Sequence, residues 1–349
     1  MKLTIASVLS KHLRFRIQHR LVLHKTIFML PQNRTNKISP LLAVFIAILA
    51  VSTASPLIRF SQREAASIVV AAYRLGLASL LLFPFAAGKA RKEIGALRSH
   101  QKILLASSGF LLALHFASWI TSLQYTSVAS SVVLVTTTPL WVAIFSPVLL
   151  GERISPATWI GLTVAILGGV IVGTSSQCMW GAGGITCSNL FNFATKSDAL
   201  GNILAIVGAW CAAGYLLIGR RLRSFLTLNT YTFGVYGLAS VFLLLGVWMT
   251  GSSLTGYQPL TYVWFVCLAV IPQLIGHSTL NWSLKYLSAS YVSIALLGEP
   301  IGTIILTYFL LREKPSLLEL VGGGLILCGI TLATNLEGKA IVGRTIPLN

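Results

Sequence analysis

The sequence predicts an all-α membrane protein with ten transmembrane helices arranged as two inverted five-helix repeats. Three observations carry that prediction. Of 349 residues, 55% are hydrophobic and only 10% are charged, against about 25% charged in a soluble globular protein. Ten apolar stretches in the chain are long enough to cross a bilayer, which takes about 20 residues of helix. Finally, the second half of the chain echoes the first in one fixed register, 161 residues on.

The stretches run near 40–58, 66–87, 103–124, 127–149, 156–174, 199–218, 228–250, 259–281, 288–311 and 317–335. Several are joined by turns of a few residues, so consecutive helices are expected to form antiparallel hairpins. Residues 1–38 precede them with eight Lys or Arg and no acid. They read as a basic cytoplasmic tail. A start at Met29 and an organellar targeting peptide, Arg-rich and acid-poor, are the other readings.

The net charge of +18 raises the question of nucleic acid. Basic residues that bind nucleic acid cluster on one face; here they sit in short segments between apolar runs, the pattern of membrane topology. With the N-terminus in the cytoplasm, the inside segments hold 20 Lys or Arg and the outside segments 5. That bias places both termini inside; the plasma (inner) membrane is the expected location.

The repeat sets the domains. Gly76 falls on Gly237, Ser79 on Ser240, and Tyr125 on Tyr286. Pro139 falls on Pro300, Glu152 on Glu313, Gly161 on Gly322, and Gly168 on Gly329. The expected division is a tail (1–38), a first repeat (39–174), an external loop (175–198), a second repeat (199–335) and a cytoplasmic tail (336–349). Five helices per copy is an odd number, so the second copy enters from the opposite side. The loop at 88–102 carries five basic residues and its counterpart at 249–263 none, as inversion requires. Inverted repeats underlie many secondary transporters, with the substrate site at the repeat interface.

The stretches "TTTPLWVAIFSPVLLGERIS" and "LLGEPIGTIILTYFLLREKPS", each followed by a glycine-rich apolar run, resemble the two EamA-type halves of the drug/metabolite transporter superfamily. The resemblance covers about 40–335. It implies a ten-helix exporter-like fold and transport of small metabolites, amino acids or drug-like solutes. Thr138 stands where the second copy has Glu299, so only the second copy carries the "EP" pair typical of that family.

Ionisable groups inside membrane helices are costly and point to function. Arg74 lies in the middle of the second stretch and its counterpart is Val235. It suits a carboxylate or phosphate, an internal acid, or neighbouring carbonyls. Glu299, beside the helix-breaking Pro300, suits a substrate ammonium, a coupling proton, or Arg74. Pro300 also frees the carbonyl of Leu296. Gln273, His277, Asn281 and Lys285 recur every four residues, which keeps them on one slowly turning helix face. His115, Ser118 and Ser122 line another, beside Trp119. Trp119 and Trp282 are candidate cavity walls, and His115 and His277 candidate proton carriers. Pro139 and Pro300 are candidate hinges or cavity-shaping kinks. Cys178 and Cys187 are a candidate disulfide, if the external side is oxidising.

The expected function is a secondary transporter, its site lined by the second, third, fourth, eighth and ninth stretches. The expected partners are the lipid bilayer, a small solute and protons. No nucleotide-binding, catalytic or metal-ligating motif stands out, so neither enzyme activity nor a cofactor is expected. A phosphorylated-sugar or nucleotide-sugar exchanger and a non-transporting receptor are the alternatives. Oligomeric state is not legible.

Overall fold

The computed structural model describes residues 39–126, 131, 134–151, 154–174, 178–181, 184–187, 196–311 and 317–342. The predicted N-terminal tail lies outside them, as do the paired charges at Glu152, Arg153, Arg312, Glu313 and Lys314.

The first membrane-length segment is α1 (Pro40–Val51) and α2 (Ala54–Ser61), broken at Ser52 and Thr53. Ser52 Oγ donates to Ile48 O at 2.7 Å and Thr53 Oγ1 to Ala50 O at 2.7 Å. Such back-bonding to the preceding turn bends a helix. Then come α3 (Ser67–Gly95), α4 (Ser99–Tyr125), α5 (Thr138–Leu150) and α6 (Pro156–Thr174). A hairpin of β1 (Cys178–Gly181) and β2 (Gly184–Cys187) leads to α7 (Lys196–Leu222) and α8 (Leu228–Thr250). The next segment is α9 (Pro259–Leu268), a π-helical run over Ala269–His277, and α10 (Ser278–Ser283). Last come α11 (Ala289–Ala295), a 3-10 turn at Leu296–Gly298, α12 (Glu299–Leu311) and α13 (Leu317–Val342).

Among the described residues, six helical segments are long and apolar enough to cross a membrane, and three shorter apolar helices accompany them. Phe85, Val148, Trp248 and Phe309 are strongly exposed; large apolar side chains on the outside fit a lipid surround.

Three boundaries differ from the sequence reading. The basic segment at 88–102 is mostly helix, because α3 runs on to Gly95 and α4 starts at Ser99. With 29 residues, α3 is roughly 43 Å long at about 1.5 Å per residue. That exceeds a hydrocarbon core of about 30 Å, so its basic end fits the polar headgroup region beyond that core. Helix α13 continues to Val342 into the expected tail, since Glu, Lys and Ala propagate a helix readily. The expected loop at 175–198 contains the hairpin, whose register sets Cys178 opposite Cys187. Facing residues of an antiparallel pair lie about 4.5–5.5 Å apart at Cα, within disulfide range. Their side chains lie outside the described residues.

The two repeats meet through reciprocal contacts. A Cβ on Gly76 would lie 3.0 Å from Ser240 Oγ, and one on Gly237 3.1 Å from Ser79 Oγ. A Cβ on Gly168 would lie 2.6 Å from Gly322 O, and one on Gly329 2.5 Å from Gly161 O. Each contact is the 161-residue image of the other, and in both helix pairs the order of partners runs antiparallel. Small residues at such crossings let backbones touch.

Two carboxylates of the first repeat cap helices of the second. Glu64 Oε2 accepts from the Gln258 N–H at 2.9 Å and the Thr261 hydroxyl at 2.8 Å, at the start of α9. Glu93 Oε2 accepts from the N–H and the hydroxyl of Thr227, both at 2.9 Å, at the start of α8. A helix N-terminus presents unpaired N–H groups and partial positive charge. Glu64 precedes α3 and Glu93 lies in its last turns, so α3 is tied to the second repeat at both ends.

Gly168→Leu is expected to lower stability by about 1–3 kcal/mol or more through overpacking. Gly169→Leu, where a Cβ would meet nothing within 4 Å, is expected to cost much less. Thermal melting of the two variants in detergent, side by side, checks this.

Candidate functional site

A cavity lies on the pseudo-twofold relation between the repeats. Repeat-related pairs line it together: Ala54 with Tyr215, Trp119 with Leu280, and Thr138 with Glu299. Phe116 and His277, also repeat-mates, meet edge to face at 5.4 Å between ring centroids. A residue that touches its own image sits beside the axis.

Arg74 enters the cavity from α3 and is wholly buried. Its Nε donates to Gln273 Oε1 at 2.8 Å, and its guanidinium carbon lies 4.1 Å from the centre of the Phe116 ring. A charged hydrogen bond adds about 1.5–3 kcal/mol, and a desolvated cation–π contact about 2 kcal/mol. Its Nη1 and Nη2 are buried and have no hydrogen-bond partner among the described residues. A guanidinium keeps its proton, and an uncompensated buried charge costs several kcal/mol.

Gln273 reaches Arg74 from the π-helical run, which contains Pro272. In an α-turn the proline ring clashes with the carbonyl four residues back, and a wider turn relieves that clash. Short π-helical turns often accompany functional sites. Gln273 stands behind Arg74 rather than on the cavity wall. From the same segment His277 and Asn281 do line the wall. Asn281 Nδ2 donates to the Tyr215 hydroxyl and to His277 O, the latter at 2.7 Å. Arg223 Nε supports Asn281 by donating to its carbonyl at 3.1 Å.

On the opposite wall, His115 Nδ1 lies 2.9 Å from Gly208 O. A carbonyl only accepts, so Nδ1 carries the proton and Nε2 is left to accept from, or donate to, another group. The His115 ring stacks on Trp119 at 5.9 Å.

Glu299 lies at the start of α12 and lines the cavity. Its carbonyl accepts from Ser52 Oγ at 3.0 Å, and Thr303 Oγ1 donates to Ser52 O at 3.1 Å. The break in the first segment is thereby fastened to the break in the ninth. Arg74 and Glu299 share the cavity but form no ion pair: among the described residues the one pair within 4.0 Å is Lys89–Glu93, at 3.6 Å.

Several expected placements change. Trp282 packs on Tyr286 at 4.6 Å and is not on the cavity wall. Lys285, the last of the four-residue series and counted among the inside charges, lies past the end of α10 and is exposed beside Arg220 and Arg221. Pro139 and Pro300 each follow a local interruption of the helix, at Thr137 and at the 3-10 turn Leu296–Gly298, and sit second where the α-helix resumes; a missing N–H costs little there. The carbonyl of Leu296, expected to be freed by Pro300, accepts from the Glu299 N–H in the 3-10 turn. All five expected stretches reach the cavity, and the first and sixth join them through Val51, Ala54, Ala212, Tyr215 and Leu216. Tyr215 was findable: it is a tyrosine inside an apolar run, and its repeat-mate is Ala54.

The repeat-mates of Arg74 and Gln273 are Val235 and Leu112, both fully buried. Gln273→Leu is therefore expected to destabilise by about 1–3 kcal/mol, since it strands Nε. Arg74→Leu combined with Gln273→Leu is expected to recover most of that loss, because an apolar pair already fills the equivalent place. Melting temperatures of the single and double variants check this.

The sequence model of the EamA-like transporter family matches residues 38–174 and 199–335. An uncharacterized transporter of Archaeoglobus fulgidus is 24% identical over 280 residues, which is 79% of this chain and 91% of that one. The uncharacterized transporter YdfC of Bacillus subtilis is 23% identical over 202 residues, 56% of this chain and 59% of its own. A solved crystal structure with 19% sequence identity superposes with a TM-score of 0.68, covering 86% of this chain and 97% of that one; the fold is shared.

Proposed function

The chain belongs to the EamA-like transporter family, and on that premise we propose a secondary active transporter that exports a small organic solute by alternating access. It is an integral, multi-pass membrane protein. The observation that carries the reading is the cavity between the repeats, with a cation from the first (Arg74) and a carboxylate from the second (Glu299) not paired to each other. Ten spanning helices in two inverted halves are part of the proposal. The antiparallel reciprocal contacts and the Lys/Arg bias support them. The same bias supports cytoplasmic termini, and a plasma or inner membrane is part of the proposal.

The helix breaks at Ser52–Thr53, Thr138–Pro139 and Glu299–Pro300 are proposed hinges. All three adjoin the cavity, so a bend there changes access to it. His115, Trp119, His277 and Asn281 are proposed wall residues, with Gln273 positioning Arg74. Glu299, His115 and His277 are the proposed proton carriers; Arg74 and Tyr215 are the other charged or titratable groups that face them. Cys178 and Cys187 are proposed to be bonded on the external side, which mass spectrometry without reductant would detect.

A phosphorylated-sugar exchanger would need several cations at the site. Among the described lining residues Arg74 is the one Lys or Arg, and Glu299 stands in the same cavity, which opposes that reading.

Comparative metabolomics of cells and medium, with and without expression, tests the proposal. Wild type is expected to enrich at least one solute in the medium. Glu299→Gln is expected to cut its release at least tenfold. Equal release by wild type and variant would remove Glu299 from the site. For proton coupling, flux of that solute into proteoliposomes is expected to respond to an imposed pH gradient, and an insensitive flux would exclude it.

A further inference from the structure

A second cavity, a groove of about 560 Å³, opens where three helical segments end side by side. Leu150 reaches it from the end of α5 and Lys285 from just past α10. Arg220, Arg221, Ser224 and Phe225 reach it from the end of α7 and the turn that follows. Its size falls within the range of about 300–1,000 Å³ that ligand sites span. The described lining residues carry three cations and no acid. In the sequence Glu152 and Arg153 follow Gly151 with one charge of each sign, so the local excess is unchanged by them.

The cations have separate roles. Arg220 Nη1 donates to Leu284 O at 2.5 Å, and the buried Arg223 donates from Nε to Asn281 O at 3.1 Å. These two staple the end of α7 to the end of α10 and supply the positive charge that a helix C-terminus favours. Arg221 and Lys285 are exposed. Among the described residues neither has a carboxylate within 4.0 Å. They bring charge to one opening from two segments that the staples hold together. The Ser224 hydroxyl donates to Arg221 O at 2.7 Å and closes the turn between them and Phe225.

The repeat does not require this charge. The 161-residue images of Arg220, Arg221, Ser224, Phe225 and Lys285 are Arg59, Phe60, Arg63, Glu64 and Gln124. Two cations and one acid stand there, a net charge of one, where the groove has three cations. In the orientation proposed above the groove faces the cytoplasm and its image the outside.

Apolar groups flank the charges. Phe225 is 58% exposed beside them, and Leu150 forms another part of the lining. Tyr286, next to Lys285, is exposed and packs on Trp282 at 4.6 Å. Tyr and Trp collect at the level of lipid headgroups. A free anion needs only the cations; a phospholipid also needs an apolar path from its phosphate to its chains, and Phe225 and Leu150 supply one.

We propose that the groove binds the phosphate headgroup of an anionic glycerophospholipid from the cytoplasmic leaflet. Arg221 and Lys285 meet the phosphate oxygens, and an acyl chain leaves along Phe225. That leaflet carries the negative surface potential, and basic pockets between helices on its side suit such headgroups. A positive-inside bias accounts for cations in loops, but not for their convergence on one preformed groove.

The test uses full-length protein stripped of lipid in a neutral detergent, with binding read by native mass spectrometry and by thermal shift. Dioleoyl phosphatidylglycerol is expected to bind and to raise the melting temperature. Dioleoyl phosphatidylcholine, with the same chains and no net charge, is expected to be at least tenfold weaker, as is glycerol 3-phosphate, which has the charge and no chains. Arg221→Gln with Lys285→Gln is expected to weaken phosphatidylglycerol at least tenfold. Arg91→Gln with Lys92→Gln removes two exposed cations that are not among the described lining residues, and is expected to change binding less than twofold. Arg221→Lys with Lys285→Arg is expected to retain binding, which separates lost charge from lost folding. Unchanged binding in the first Gln pair, equal loss in both Gln pairs, equal loss in the charge-keeping pair, or phosphatidylcholine bound as tightly as phosphatidylglycerol overturns the proposal. Glycerol 3-phosphate bound as tightly as phosphatidylglycerol also overturns it and makes the groove a site for a soluble anion. The transporter reading stands or falls separately, on flux.

Discussion

A guanidinium with no exposed surface, in the apolar part of its helix, constrains much of what surrounds it. Arg74 cannot shed its charge, so its neighbours must hold it. Gln273 supplies an acceptor, and supplies it from a π-helical run. Phe116 supplies a ring face, at the place where the repeats touch their own images. Helix α3, which carries the charge, is anchored at each end: Glu64 and Glu93 satisfy the first N–H groups of α9 and α8. A buried charge that could wander would find other partners. One held at both ends of its helix keeps its free edge at one place.

Symmetry builds the scaffold and asymmetry builds the chemistry. The reciprocal contacts of Gly76 with Ser240, and of Gly168 with Gly322, recur in image form through Gly237 and Gly329. Tyr125 and Tyr286 are equally exposed, at 39% each, as befits one turn built twice. Around the cavity the equivalence ends. Tyr215, Gln273, His277, Asn281 and Glu299 of the second repeat correspond to Ala54, Leu112, Phe116, Ile120 and Thr138 of the first. The second copy carries most of the polar groups. The first contributes Arg74 and His115, whose images are Val235 and Gly276.

The features legible in the sequence are those that lipid or duplication enforces. Pro156–Thr174 and Leu228–Thr250 form as helices at their expected bounds, because turn residues end the apolar runs there. The fourth and ninth stretches read as single helices because both pieces are apolar; hydropathy is blind to a restart at Thr138 or Glu299. Trp282, one residue after Asn281, packs on Tyr286 instead of the cavity, whereas Lys285 lies with Arg220 and Arg221, at the turn where the charge count put it. Gln273 was legible as polar and inward, but its attachment to Arg74, 199 residues away, is a tertiary fact. So is the separation of Arg74 from Glu299, two charges that sequence reasoning could pair or leave apart.

That separation has a mechanical consequence for the proposed cycle. Arg74 belongs to the first repeat and Glu299 to the second, so relative motion of the halves alters the distance between them. Closing the cavity on no ligand leaves a guanidinium and a carboxylate in a low-dielectric interior without contact, a state in which desolvation outweighs attraction. Closing it on a ligand that bridges them replaces lost water with charged hydrogen bonds at both ends. In that cycle a ligand that meets both charges stabilises the occluded state. In the proposed cycle, coupling of binding to closure rests on one geometric feature: the two charges face one space and do not meet across it.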